Sequence, residues 1–164
     1  MALAPYTDPQ QVRAALGVSD FDISDITLAL PIYSTIASEA LYEVSKTLPT
    51  DLATTMAIPE ADRTAPQQRL ATLGGLFATY SVAAVLCTSA PLFALREMKD
   101  DRTADIRFDD PFKKLREDLA AMLAFVRARL IDAYLEVEPG AVIEDYVDVE
   151  PGVAAPLGVD PVTG

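Results

Sequence analysis

The chain has 164 residues, 51% of them hydrophobic, and 13 basic against 25 acidic side chains give a formal charge of −12. That length and apolar content suffice for one domain with a buried core and exclude a wholly disordered chain, while the negative charge repels nucleic acid. A single cysteine, Cys87, and the absence of histidine exclude an internal disulfide framework and the usual zinc sites, so no metal and no cofactor are expected.

From the N-terminus, Met1 to Asp8 has neither a basic region nor a long apolar run, so a signal peptide is not expected. Asp8-Pro9 followed by Gly17 predicts a short helix with an Asp cap, proline at the first helical position and glycine at the exit, placing Val12 and Leu16 on one face. Asp22 or Ser24 can cap a second helix towards Lys46, with Ile36, Leu41, Val44 and Leu48 at helical spacing and a kink or restart at Pro31. The two prolines between Pro49 and Asp62 predict a connection holding one helical turn near Asp51 to Met56.

Thr64, Pro66 and Gln67 form the capping-box pattern of a further helix, running to about Lys99 with an interruption near Pro91. After a charged connection, Asp110-Pro111 repeats the cap-then-proline signal. Phe112, Leu115, Leu119, Met122, Val126, Leu130 and Ala133 then recur at steps of three and four, while Lys113 and Glu117 can pair one turn apart on the wet side. From Glu136 the pattern stops: residues 136–164 hold seven acids, no lysine or arginine, and prolines at 139, 151, 156 and 161. The expectation is an all-α fold, a bundle of about four to five helices over residues 1–135, with an extended acidic, Pro-rich C-terminal arm over residues 136–164.

Leu70 to Leu95 is a 26-residue stretch without a charge, long enough to cross a bilayer. Glycines, hydroxyl residues, Pro91 and many alanines dilute it, so a buried bundle helix is the better reading and no membrane is expected. A helix apolar on all sides in so small a domain also predicts contact with a neighbouring subunit, with Leu76 and Tyr80 as candidates for core or interface. Gly74-Gly75 lacks the lysine of a phosphate loop and suits close helix packing. The aspartates from Asp100 to Asp110 lack the glycine and closing glutamate of a calcium loop, and Glu39 with Glu43 lacks a matching Glu-x-x-His partner. Cys87 in an apolar run is inert, and no catalytic constellation emerges, so the chain does not read as an enzyme. Within the arm, Ala141 to Val149 is β-branched and aromatic; a strand there satisfies its backbone on a partner's edge or groove, or the segment is simply a tail.

Three pieces carry a family resemblance: Val12-Arg13-Ala14-Ala15-Leu16-Gly17-Val18-Ser19, Asp22-Ile23-Ser24-Asp25-Ile26 feeding a longer helix, and Phe108-Asp109-Asp110-Pro111-Phe112 opening the last one. Over residues 8–135 the chain resembles the head-tail connector, or adaptor, proteins of the neck of tailed bacteriophages. The resemblance implies a non-enzymatic virion structural protein, assembled in the host cytoplasm, whose copies form a ring, typically of twelve, between the portal protein and the tail or a stopper or neck protein. DNA then passes through the ring without sequence-specific contact. By analogy with the C-terminal extension of that family, Val142, Ile143, Tyr146, Val147 and Val149 are the candidate portal-binding residues. The reading from another class is a single-span membrane protein, a lysis or envelope component, using residues 70–95; a soluble helical enzyme or regulatory module is a third.

Overall fold

In a computed structural model of the chain, residues 3–89 and 113–144 are described. Among them are six α-helices, one 3-10 turn and no strand, which makes the fold an all-α bundle. Helix α1 spans Pro9–Leu16; the Asp8 carboxylate accepts from the Gln11 amide at 3.0 Å, and Gly17 leaves the helix at φ 68°, a left-handed conformation that a side chain would strain. Val12 is fully buried and Leu16 half-buried, as their shared face requires. Arg13, also buried, donates to the Ile23 carbonyl at 3.2 Å and to Asp25 at 2.6 Å, tying α1 to α2 (Asp25–Leu28), whose cap is Ser24.

The expected second helix towards Lys46 is two helices. Pro31 restarts the chain as the first residue of α3 (Pro31–Tyr42), where its missing N–H has no helical partner to lose. Helix α3 ends at Tyr42; Val44 and Leu48 lie beyond it and are fully buried because the turn between them folds inwards. The expected connection after Pro49 is instead a ten-residue helix, α4 (Leu48–Ala57). Pro49 occupies its first turn and Pro59 follows its end, so both prolines bracket the helix and neither interrupts it.

A 3-10 turn at Glu60–Asp62 leads to α5 (Ala65–Ser89). Its capping box is reciprocal: the Gln67 amide donates to the Thr64 hydroxyl at 3.4 Å and the Thr64 amide to the Gln67 side chain at 3.0 Å. Helix α6 spans Lys113–Val137. The predicted interruption at Pro91, the charged connection and the Asp110-Pro111-Phe112 start lie outside the described residues.

Helix α5 is the axis of the bundle, with α6, α3, α1 and α4 packed around it. The main core joins Leu41, Val44, Leu48 and Leu52 to Leu70 and Phe77 of α5 and to Val126, Leu130 and Tyr134 of α6. Full burial of one such leucine is worth roughly 1.5–3 kcal/mol. A second cluster joins Val12, Leu28 and Ala37 to Ala78, Val82 and Leu86, on another side of α5. Within α5 the uncharged stretch is apolar on several sides because neighbours pack on several sides, with Ala78 and Ala83 letting them approach. Gly74 serves the close packing expected of it: a Cβ there would lie 2.4 Å from a methyl of Leu52.

On α6, Leu119, Val126, Leu130 and Ala133 are buried and Leu115 is half-buried, but Met122 lies in solvent. Because α6 leans mainly on α5, only a narrow stripe is covered and Met122 sits at its margin. Lys113 and Glu117 are exposed and form no ion pair with each other. The helix runs one residue past Glu136 because Val137 still reaches the core. Beyond it the chain turns back: Ala141 and Ile143 pack on the main cluster, and the Glu144 amide donates to the Val44 carbonyl at 3.0 Å.

Candidate functional site

An open groove of about 810 Å³ runs along α5, between the Tyr6–Asp8 segment with α1 on one side and Met56 with Arg63 on the other. Leu76 and Tyr80, one helical turn apart, both line it. Leu76 is 40% exposed, whereas Tyr80 is half-buried and also touches the core clusters, so the pair brings one free and one partly committed side chain to the same groove.

The polar groups of the groove are bonded to one another. Thr79 donates to the Gly75 carbonyl at 2.7 Å, and its hydroxyl lies 2.6 Å from that of Thr7, which supplies the proton of that contact. The Gln11 side-chain oxygen lies 3.2 and 3.4 Å from the Thr7 and Thr79 hydroxyls. Arg63 spends its guanidinium on the last turn of α4, donating to the Ile58 and Met56 carbonyls at 2.9 and 3.0 Å, and on Gln68 at 3.3 Å. These bonds fix the groove's walls to α5.

Beneath the main core, hydroxyls form a relay. Tyr134 donates to the Asp51 carboxylate, so Thr47, 2.7 Å away, donates to Tyr134, and Ser45, 3.3 Å from Thr47, donates to Thr47. Burial raises the Tyr134 pKa above its ordinary value, and the bond to Asp51 raises it further. Burial likewise raises that of Tyr6, whose hydroxyl donates to the Pro49 carbonyl at 3.1 Å. Both tyrosines thus stay neutral and serve as anchors for α4.

Of the candidate arm residues, Val142 is 72% exposed while Ile143 is turned towards the bundle's own core; Tyr146, Val147 and Val149 lie outside the described residues. Residues 141–144 are extended without being a strand, held by the Glu144 amide, by Arg127 donating to the Glu144 carbonyl at 3.2 Å, and by a Lys46–Glu144 ion pair at 3.1 Å. That bond raises the Lys46 pKa above its ordinary value. Glu39 and Glu43 are exposed, Cys87 is buried, and no group of three potential metal ligands occurs among the described residues.

Two further surfaces escaped the sequence reading. Phe21 is 96% and Ile26 82% exposed, with Leu30 and Ile32 beside them in sequence and also in solvent, among Asp20, Asp22 and Asp25. The Asp22 carboxylate is held by the Ser19 amide and hydroxyl at 2.8 and 2.7 Å, which lowers its pKa and keeps it ionised. On α6, Phe125 is 55% exposed with Met122 one turn away, and the Arg129 guanidinium sits 5.0 Å over its ring.

Comparison with known proteins gives no match to the chain, whether with family models, curated proteins or solved structures. The surfaces themselves are then the ground for a functional reading.

Proposed function

We propose that the chain is a structural head-tail connector of a tailed bacteriophage, an adaptor whose copies form a ring, of twelve by resemblance, joining the portal to the tail or the next neck protein. The observation that carries this reading is the amount of apolar surface left over by a well-packed bundle. Phe21, Ile26, Ile32 and Phe125 face solvent, outside the buried clusters of the described residues. A small domain that holds large side chains out of its core is built to bury them against other proteins. The groove fits the same role, since its polar groups satisfy each other and its free side chain, Leu76, is apolar. The resemblance over residues 8–135 supplies the kind of partner, and the location in the virion neck follows from it.

The membrane reading draws on α5, which holds within residues 65–88 an 18-residue window of mean hydropathy 1.8. Against it stands the position of that helix as the axis around which four others pack, with 61% of its apolar window buried. Lipid would have to replace those neighbours.

The test is to express the chain without detergent and determine its mass by light scattering, alone and mixed with the portal of the same virus. A soluble helical species that joins the portal as a ring is the expected result. Aggregation rescued only by micelles would overturn the reading. Removing residues 145–164 is expected to abolish portal attachment while leaving helicity unchanged; a cut after Glu136 would also strip Val137, Ala141 and Ile143 from the core and confuse the two effects.

A further inference from the structure

The outer side of α6 carries a single stripe. Lys114, Asp118, Ala121, Phe125, Ala128 and Asp132 are all exposed and follow one another at alternating steps of four and three, the spacing that keeps side chains on one side of a helix. Met122 and Arg129 flank it along one edge, and the Arg129 guanidinium sits 5.0 Å over the Phe125 ring. Among the described residues no ion pair engages Lys114, Asp118, Arg129 or Asp132. The other arginines of the helix, Arg116 and Arg127, stand off the stripe; both are half-buried, and Arg127 donates to the Glu144 carbonyl.

Along this stripe the charge order is positive at Lys114, negative at Asp118, apolar in the middle, positive at Arg129 and negative at Asp132. Such an order is the complement of itself read backwards. From it we infer that α6 of one copy of the chain packs antiparallel on α6 of a second copy, about a twofold axis midway between Ala121 and Phe125. In that register Lys114 faces Asp132 of the second copy, Asp118 faces its Arg129, and Phe125 lies over its Ala121 with Met122 alongside. The symmetry makes each contact twice, over about 27 Å of helix. The small side chains of Ala121 and Ala128 let the helices approach, and an aromatic at the centre of a charged rim is the usual anchor of an interface. Charge selects both the partner and its direction. Parallel packing of the same faces would set Lys114, Asp118, Arg129 and Asp132 each against its own like, and a uniformly acidic or basic partner would oppose half of the stripe. The inference goes beyond the connector reading. In a ring whose copies all point the same way, no two neighbours meet across such an axis, so the pair is a form of the free chain that joining a portal takes apart.

The experiment follows the full chain by sedimentation at low salt, with Asp118→Arg, Arg129→Asp and a chain carrying both substitutions. Both positions are exposed, and unchanged helical circular dichroism verifies that the variants fold. The wild-type chain is expected to pass from monomer to dimer with rising concentration. Each single variant sets like charges together twice and should associate at least about tenfold more weakly. The double variant exchanges the two charges and restores both contacts, so it dimerises as the wild type does, and so does a 1:1 mixture of the two single variants. A wild-type chain still monomeric at about 1 mM, single variants that dimerise unchanged, or a double variant as weak as the singles would overturn the inference. Portal binding is read in a separate arm: a chain that dimerises and never joins a portal sinks the connector and leaves the pair standing, and a chain that joins a portal as a ring without dimerising when free does the reverse.

Discussion

Helices α5 and α6 are both 25 residues long, and the sequence presents them in opposite lights. Helix α6 shows a regular apolar stripe and looks like the ideal bundle helix, whereas α5 is uncharged over most of its length and looks like a membrane span. In the fold, α5 is the axis, enclosed by four neighbours, and α6 lies at the edge with part of its apolar surface in water. A clean amphipathic pattern marks a helix with one neighbour, and a patternless apolar one marks a helix with many.

The same substitution in the two helices is the strongest way to break this comparison. Val82→Asp places a charge in a fully enclosed site and is expected to cost more than about 4 kcal/mol, enough to unfold the chain, while Phe125→Asp should change monomer stability by less than about 0.5 kcal/mol. Denaturant midpoints of equal size for both would end the distinction. Next in size, Gly74→Val is expected to cost about 2–3 kcal/mol by pressing on Leu52, and Leu52→Ala in the same chain should recover part of that, as a double-mutant cycle reads.

Where α6 meets α4, Tyr134→Phe removes the centre of the hydroxyl relay and is expected to cost about 2 kcal/mol, since Asp51 and Thr47 lose a partner. The same site sets a pH dependence. The raised pKa of Tyr134 means that its contribution is complete below the ordinary tyrosine value near 10 and is lost as pH rises through the folded value. Stability followed from pH 8 to 12 should therefore fall at the alkaline end, and less steeply in Tyr134→Phe, with Tyr6 contributing the remainder in the same direction. The smallest effect sharpens the start of α5: Thr64→Ala should cost about 1 kcal/mol in thermal or chemical unfolding.

What the sequence revealed and what it hid divide along physical lines. Asp8 with Gly17, and Thr64 with Gln67, are local devices whose partners lie within a few residues, so α1 and the start of α5 could be read directly. Helix α4 could not, because Pro49 breaks a helix that began earlier and starts one that begins at Leu48. That choice is made by the distant core that takes Leu48 and Leu52. The meeting of Leu76 and Tyr80 on one groove followed from their spacing, but the groove itself needed Tyr6 and Arg63 from elsewhere in the chain. The exposure of Phe21 and Ile26 was hidden for a related reason: a large apolar residue announces burial, and only the packed fold shows that no element among the described residues covers it.

Cys87, sealed at the seam where α5 meets Leu119 of α6, gives that seam a clock. A thiol reagent in water can react there only during the moments when α6, or Ala15 and Leu16 of α1, lifts from the axis, so the rate of labelling counts those openings. If assembly with a neighbour clamps α6, labelling in the assembled particle should slow by the factor that assembly adds to the closed state. One sulfur atom would then report, from inside the bundle, on what is gripping it from outside.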